Sequence, residues 1–213
     1  MPKIFHDLKL SLDEELEDRL AWLVPEHGPW RILRQSVDAR QRHQPHLVFS
    51  VEVAARGETL PVEEFKFEKI TPPPARERPI IVGSGPAGLF AALRLVEQGV
   101  PCQLFERGSE STARIKGISR FWRHGELDPR NNVCYGEGGA GLYSDGKLIT
   151  RIKSPHIPYV MNRLVRFGAP EEIQWLSNPH VGSDRIRRVI PLLRDFLKAN
   201  GCEIHFDTQV TEI

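Results

Sequence analysis

The sequence predicts an α/β protein in two parts: a small α+β unit over residues 1–70 and a larger parallel-sheet domain over 80–213. Three observations carry that expectation. A short strand, a glycine-rich turn, a helix and a second strand follow one another without interruption from Ile80 to Arg107. Ahead of them, strand-like alternation of apolar and polar residues flanks a single amphipathic helical stretch. Between the two lies "TPPPARERP" (71–79), whose three consecutive prolines neither continue a helix nor fit a central strand, and which stiffen a linker.

Composition narrows the function classes. A chain of 213 residues fits a small domain joined to a medium one, and 40% hydrophobic with 27% charged residues is enough for a packed core. Lys plus Arg number 29 against 28 Asp plus Glu, so no net field draws a polyanion or an anionic membrane. Neither nucleic acid nor a membrane is expected as a partner. Cys102, Cys134 and Cys202 are too few and too scattered for a disulfide framework or a Cys-x-x-Cys site, so no metal is expected. The compartment is expected to be reducing, hence cytoplasmic. The N-terminus carries charges where a signal peptide needs an apolar core, and no uncharged apolar run reaches the roughly 18 residues of a membrane span.

In the first part, "IFHDLKLSL" reads as a strand. Ser11 followed by Glu14 forms a capping box ahead of "LDEELEDRLAWLV", whose Leu12, Leu16, Leu20 and Leu23 fall on one helical stripe. "WRILRQSVDAR" and "HLVFSVEVA" read as two further strands, the latter alternating Leu47, Phe49, Val51 and Val53 with Val48, Ser50 and Glu52. The order strand, helix, strand, strand suits a ferredoxin-like unit with a helix packed on a sheet.

In the second part, "IIV" is a buried strand and a helix follows over 86–98 with Gly99 as its stop. "PCQLFER" is the next strand. "STARIKGISRFWRHGEL" is partly helical, "NNVCYGEGGAGLYSDGKL" is a glycine-rich loop and "PHIPYVMNRLVRFG" is a helix. A further helix starts near Ser183, its expected cap, and runs on despite Pro191, which is expected to kink it. "CEIHFDTQVTEI" reads as a last strand containing Val210.

Gly83, Gly85 and Gly88 form G-x-G-x-x-G directly between a strand and a helix. The first glycine permits the tight turn, the second lets the backbone approach a pyrophosphate, and the third lets helix and strand pack closely. The helix N-terminus then offers free N–H groups to the phosphates. Glu106 closes the next strand near the offset of about 20 residues at which an acid takes a ribose hydroxyl. An acid there favours a free 2′-hydroxyl, hence FAD or NAD over NADP. The spacing by itself does not choose between FAD and NAD. The expectation is an incomplete Rossmann-like FAD/NAD(P)-binding domain. Arg114, Lys116, Arg120 and Arg123 read as a solvated basic helix face rather than as a phosphate or nucleic-acid site.

"GSGPAGLFAALRLVEQGVPCQLFERG" resembles the FAD-binding segment of glutathione-reductase-like flavoproteins. With "GEGGAGLYSDGKLITRIK", "VDAR" and "NPHVGSDRIRRVI", the chain is similar to a family of FAD-utilising dehydrogenases that carry a small N-terminal domain. The resemblance implies that Gly83, Ser84, Gly85, Pro86, Ala87 and Gly88 hold the FAD pyrophosphate, with Glu106 and Arg107 beside the adenosine. It implies that a second loop, Gly138, Gly139, Ala140, Gly141, Ser144 and Asp145, passes the flavin, and that Val210 reads adenine through its backbone. It places His180 near the flavin ring as a candidate catalytic proton relay, NAD(P)H as candidate electron donor, and a small molecule as substrate.

Such a domain continues past its adenine-contacting strand with Ala-Thr-Gly and later Gly-Asp motifs. The sequence contains neither a Thr-Gly nor a Gly-Asp dipeptide. The chain is therefore expected to be truncated, with an open sheet edge. A catalytically inactive nucleotide-binding fragment and an NAD-binding dehydrogenase half stand beside an FAD-dependent oxidoreductase as readings.

Overall fold

The structure is a computed structural model that describes residues 1–41, 43–61, 74, 77–143, 147–148, 150 and 152–212. The chain forms two units, Met1–Phe65 with Glu171–Pro179, and Lys66–Pro170 with His180–Ile213. The inclusion of Glu171–Pro179 in the first unit departs from the expected division at the linker. Most of that linker (71–73, 75 and 76) lies outside the described residues.

The first unit contains β1 (Lys3–Leu10), α1 (Leu16–Leu23), β2 (Trp30–Asp38) and β3 (His46–Val53), in an antiparallel sheet of order β1-β3-β2. Register sets Phe5, Leu8 and Leu10 opposite Val51, Phe49 and Leu47, and Trp30 and Ile32 opposite Val53 and Val51. One sheet face is thus apolar, and it closes on Leu16 and Leu20 of α1. The register shift between Phe5 and Leu8 is a bulge that keeps the apolar residues of β1 on that face, and a second shift interrupts β2 between Ile32 and Arg34. The helix starts four residues later than the leucine stripe predicts. Glu14 N–H donates to Ser11 O at 3.3 Å, so Ser11–Glu14 is a turn, and Leu12 at its tip is exposed. Ser11 N–H also donates to the Glu14 carboxylate at 3.3 Å, so half of the expected capping box forms, ahead of the helix. The free edge of β2 is met by the distant segment: Gln35 N–H donates to Trp175 O at 2.8 Å and Ser177 N–H to Gln35 O at 2.9 Å. A ferredoxin-like unit adds a second α-helix and a fourth strand. The described residues of this unit hold one α-helix, three strands and a short 3₁₀ turn, Glu171–Gln174.

The second unit contains β4 (Ile80–Val82), α2 (Pro86–Glu97), β5 (Cys102–Phe105), α3 (Ser111–His124), α4 (Ile157–Arg166), α5 (Ser183–Ala199) and β6 (Cys202–His205). The strands are parallel, in the order β4-β5-β6. Helix α2 buries Leu89, Ala92, Leu93 and Val96, the i, i+3, i+4, i+7 stripe of a helix with one face on a core. Helix α5 runs unbroken through Pro191 and buries Ile186, Val189, Ile190, Leu193 and Leu197. Ser183 is its first helical residue rather than its cap; Gly182, at φ 80°, takes the cap position. Tyr159 of α4 donates to the Glu97 carboxylate of α2 at 2.8 Å, and burial together with that bond pushes its pKa up to about 12.

Strand β6 ends at His205, which corrects the expected strand over 202–213. Asp207 turns the chain with φ 52°, its N–H donating to Gly108 O at 3.0 Å. Val210 therefore leaves the sheet. The second edge of β4 carries no strand among the described residues, and Ile80 and Val82 stay 62% and 57% exposed. No described helix is long and apolar enough to cross a membrane.

Candidate nucleotide-binding cleft

The backbone of the glycine turn fixes the site. Gly83, just after β4, adopts φ 93°, a left-handed conformation that side chains resist, and its N–H donates to Phe105 O at 2.8 Å. A Cβ on Gly88 would lie 1.9 Å from Gly83 O, so α2 sits against the turn at a distance only glycine allows. Gly85 is different. Its φ of −64° and ψ of 179° suit any residue, and a Cβ there would meet no atom within 4 Å. That empty space is the cleft. Pro86 takes the first helical position, where no N–H is needed. No side chain caps the helix and no acidic residue occupies its first turn, so its amides and positive dipole end stay open to an anion.

The cleft has a volume of about 560 Å³, within the range of small-molecule and cofactor sites. Gly83, Gly85, Pro86, Glu106, Arg107, Gly139, Ala140 and Val210 line it. Ser84 is buried beneath it, and Gly88 forms the helix contact just described. Ala87, Gly138 and Gly141 do not line it. Ser144 and Asp145 lie outside the described residues. His180 is exposed, bridged to Lys147 and outside the lining. Val82, Phe105, Cys134, Tyr135, Gly136, Thr208 and Gln209 complete the wall, and sequence reasoning missed them. Gly136 stands two residues before the first glycine selected in the second loop, so extending that motif upstream finds it.

Glu106 is held firmly at the mouth of β5. Its Oε2 accepts from Ser84 N–H at 2.9 Å and Ser84 O–H at 2.8 Å, and its Oε1 accepts from Gly108 N–H at 2.8 Å. A carboxylate offers about four acceptor directions. These three bonds leave one on Oε1, in a residue that lines the cleft and is 5% exposed. The backbone is pinned as well, Glu106 N–H to His205 O and Thr208 N–H to Glu106 O, both at 2.9 Å.

The second glycine loop is tied to the first. Gly138 N–H donates to Ser84 O at 2.9 Å, and a Cβ on Gly139 would fall 2.9 Å from Pro86 Cδ. Behind it lies a correction. Arg114, expected on a solvated face, is fully buried. Its Nε donates to Asn132 O at 2.9 Å, one Nη to Val133 O at 3.1 Å, and the other to Glu137 O at 3.0 Å and Gly139 O at 3.3 Å. Burial lowers its pKa, and the Tyr143 ring lies 4.9 Å from the guanidinium. Lys116, Arg120 and Arg123 are exposed, as a solvated face requires. The missed signal is spacing: Ser111, Arg114, Gly117 and Ile118 form one buried helical stripe.

The other groove of note lies in the first unit. It measures about 810 Å³ and is lined by Lys9, Arg34, Asp38 and Arg40 among others. Arg40 forks onto Asp38 at 2.6 and 2.9 Å, holding that carboxyl below its usual range, and among the described residues neither a glycine turn nor the start of an α-helix lines the groove.

Parallel sheet, glycine turn, open helix terminus and acid-bearing strand end together define a Rossmann-like dinucleotide-binding domain. Comparison agrees at that level: residues 81–133 match the family described as NAD(P)-binding Rossmann-like domain. The chain is also similar to an uncharacterized protein of Clostridium beijerinckii, with 34% identity over 228 aligned residues. That match covers 98% of the chain and 43% of the relative, so the chain spans less than half of the relative's length.

Proposed function

We propose that the cleft binds the ADP half of FAD and that the chain is the cofactor-binding part of an FAD-dependent oxidoreductase. The single observation that carries the nucleotide reading is the contrast between Gly85 and Gly88, and the choice of FAD follows the flavoprotein resemblance of the segment from Gly83 to Gly108. Gly85 opens onto empty space in front of an uncapped helix, and Gly88 is closed against backbone. The residues fit the group. The amides at the start of α2 suit the diphosphate, and the remaining acceptor direction of Glu106 suits a ribose hydroxyl. A fixed carboxylate at that point also repels a 2′-phosphate, which disfavours NADP. Arg107 and Val210 stand where the adenosine would lie, and Gly139 and Ala140 where the chain beyond the diphosphate would pass. Bound flavin supplies hydride or electron transfer, and the protein binds and orients it. NAD(P)H is the proposed donor and a small molecule the substrate. His180 is exposed and is not among the residues that line the cleft.

The family description of residues 81–133 favours a second reading, an NAD-binding dehydrogenase half. One experiment separates the two. The purified chain is mixed with FAD, freed of unbound cofactor and examined by visible absorption, then challenged with excess NAD. Retained flavin that NAD does not displace supports FAD. A colourless protein that binds NAD rejects it in favour of the second reading.

A further inference from the structure

The Arg114 side chain does more than fill space. Its guanidinium collects four carbonyl oxygens, from Asn132, Val133, Glu137 and Gly139, and the residues between them run past Cys134, Tyr135 and Gly136, which line the cleft. Five N–H donors in a rigid planar fork can gather carbonyls from several directions; a lysine ammonium cannot match that geometry. A Cβ on Gly136 would come 3.1 Å from the guanidinium, so the loop is folded tightly around it. The far end of the loop is latched to the glycine turn through Gly138 N–H and Ser84 O.

Beside this hub, Glu137 is completely buried and its Oε2 accepts from Ser111 N–H at 2.6 Å and Arg194 Nη1 at 3.0 Å. The same loop is therefore braced twice, by α3 through Arg114 and Ser111 and by α5 through Arg194. Its carbonyls face inward to the guanidinium, and Gly139 and Ala140 are presented to the cleft.

We infer that Arg114 is the positioning residue for the wall that receives the part of a dinucleotide beyond ADP. It shapes residues 132–139 so that the cleft adds affinity past the diphosphate, while the ADP half rests on Gly83–Gly88 and Glu106, to none of which Arg114 donates a hydrogen bond. This rests on the nucleotide-binding reading of the cleft.

The test compares dissociation constants for ADP and for FAD by titration calorimetry on the intact chain and on Arg114→Lys. The variant is expected to bind ADP almost as the parent does and FAD about tenfold or more weakly, as loss of charge-assisted hydrogen bonds implies. If Arg114→Lys does not fold, Tyr143→Leu replaces it. That change removes the ring packed on the guanidinium and leaves the carbonyl bonds, and it is expected to lower the FAD-to-ADP affinity ratio in the same direction by about threefold. Equal losses for both ligands, or no change in the ratio, overturn the inference and leave Arg114 a structural residue. A parent chain that binds ADP and FAD equally well overturns it too, yet leaves the nucleotide cleft standing. A parent chain that binds neither rejects the cleft reading itself.

Discussion

Two glycines three positions apart in one motif should fail in opposite ways when each becomes alanine, because the structure gives their Cβ atoms opposite surroundings. In Gly88→Ala the methyl meets Gly83 O at 1.9 Å and Gly83 C at 3.1 Å, and both belong to backbone. Helix α2 must then lift from the turn. Overpacking of this kind costs about 1–3 kcal/mol or more, and the better helix propensity of alanine returns only about 1 kcal/mol. Because the 1.9 Å approach is to backbone and no side chain can give way, the cost lies at the upper end, and the net loss of about 2 kcal/mol lowers the melting temperature by roughly 4–8 °C in a chain of this size. In Gly85→Ala the backbone is already in a region alanine accepts. The poorer N-cap costs about 1 kcal/mol and the reduced freedom of the unfolded chain returns about 0.4–1 kcal/mol, so melting should hold within about 2 °C. The methyl instead enters the space in front of the α2 amides and should weaken nucleotide binding about 100-fold, or 2.7 kcal/mol. Differential scanning fluorimetry and calorimetric titration with ADP measure the two effects on the same samples. Gly85→Ala binding ADP like the parent would refute the placement of the diphosphate, and Gly88→Ala melting like the parent would refute the close helix contact.

Three further outcomes follow from the same geometry. Glu106→Gln sets an amide against Ser84 and Gly108 donors, and it should cost about 2 kcal/mol of stability together with at least tenfold in nucleotide affinity, read by thermal melting and titration. Glu137→Ala removes the fully buried acceptor of Ser111 N–H and leaves Arg194 only the more exposed carboxylates of Glu110 and Asp195, and urea unfolding should show a loss of about 2–3 kcal/mol. Tyr159 has a folded pKa raised from 10 to about 12, so its protonated form contributes stability that is complete below about pH 10 and is lost as pH rises through about 12. Melting temperatures across that range should fall more steeply for the parent than for Tyr159→Phe, and parallel curves would contradict the assignment.

What could be read from the residues was local. Gly83, Gly85 and Gly88 sit at the turn through backbone geometry set within a few positions, and Glu106 sits at a strand end, so spacing is enough to place them. Arg114 was hidden because its partners are carbonyls 18–25 residues away, and a basic residue on a helix is ordinarily solvated. The packing of Glu171–Pro179 against β2 has no signal in composition, since it uses two backbone hydrogen bonds to Gln35 and one from Arg34 Nε to Ser177 Oγ at 3.1 Å, all across about 140 residues of chain. Leu12 lies outside the helix because the Ser11–Glu14 motif of a helix start also closes a turn, and Val210 lies outside β6, though on the cleft wall, because Asp207, a residue that tolerates positive φ, redirects the chain.

The central claim is that the amides opening α2 grip a diphosphate while Glu106 steadies the neighbouring ribose. A crystal structure of the chain with ADP tests it most directly. Diphosphate oxygens are expected within hydrogen-bonding distance of the N–H groups of Gly85, Ala87 and Gly88, with a ribose hydroxyl on Glu106 Oε1. Nucleotide seated elsewhere, or a ribose turned away from Glu106, would contradict it.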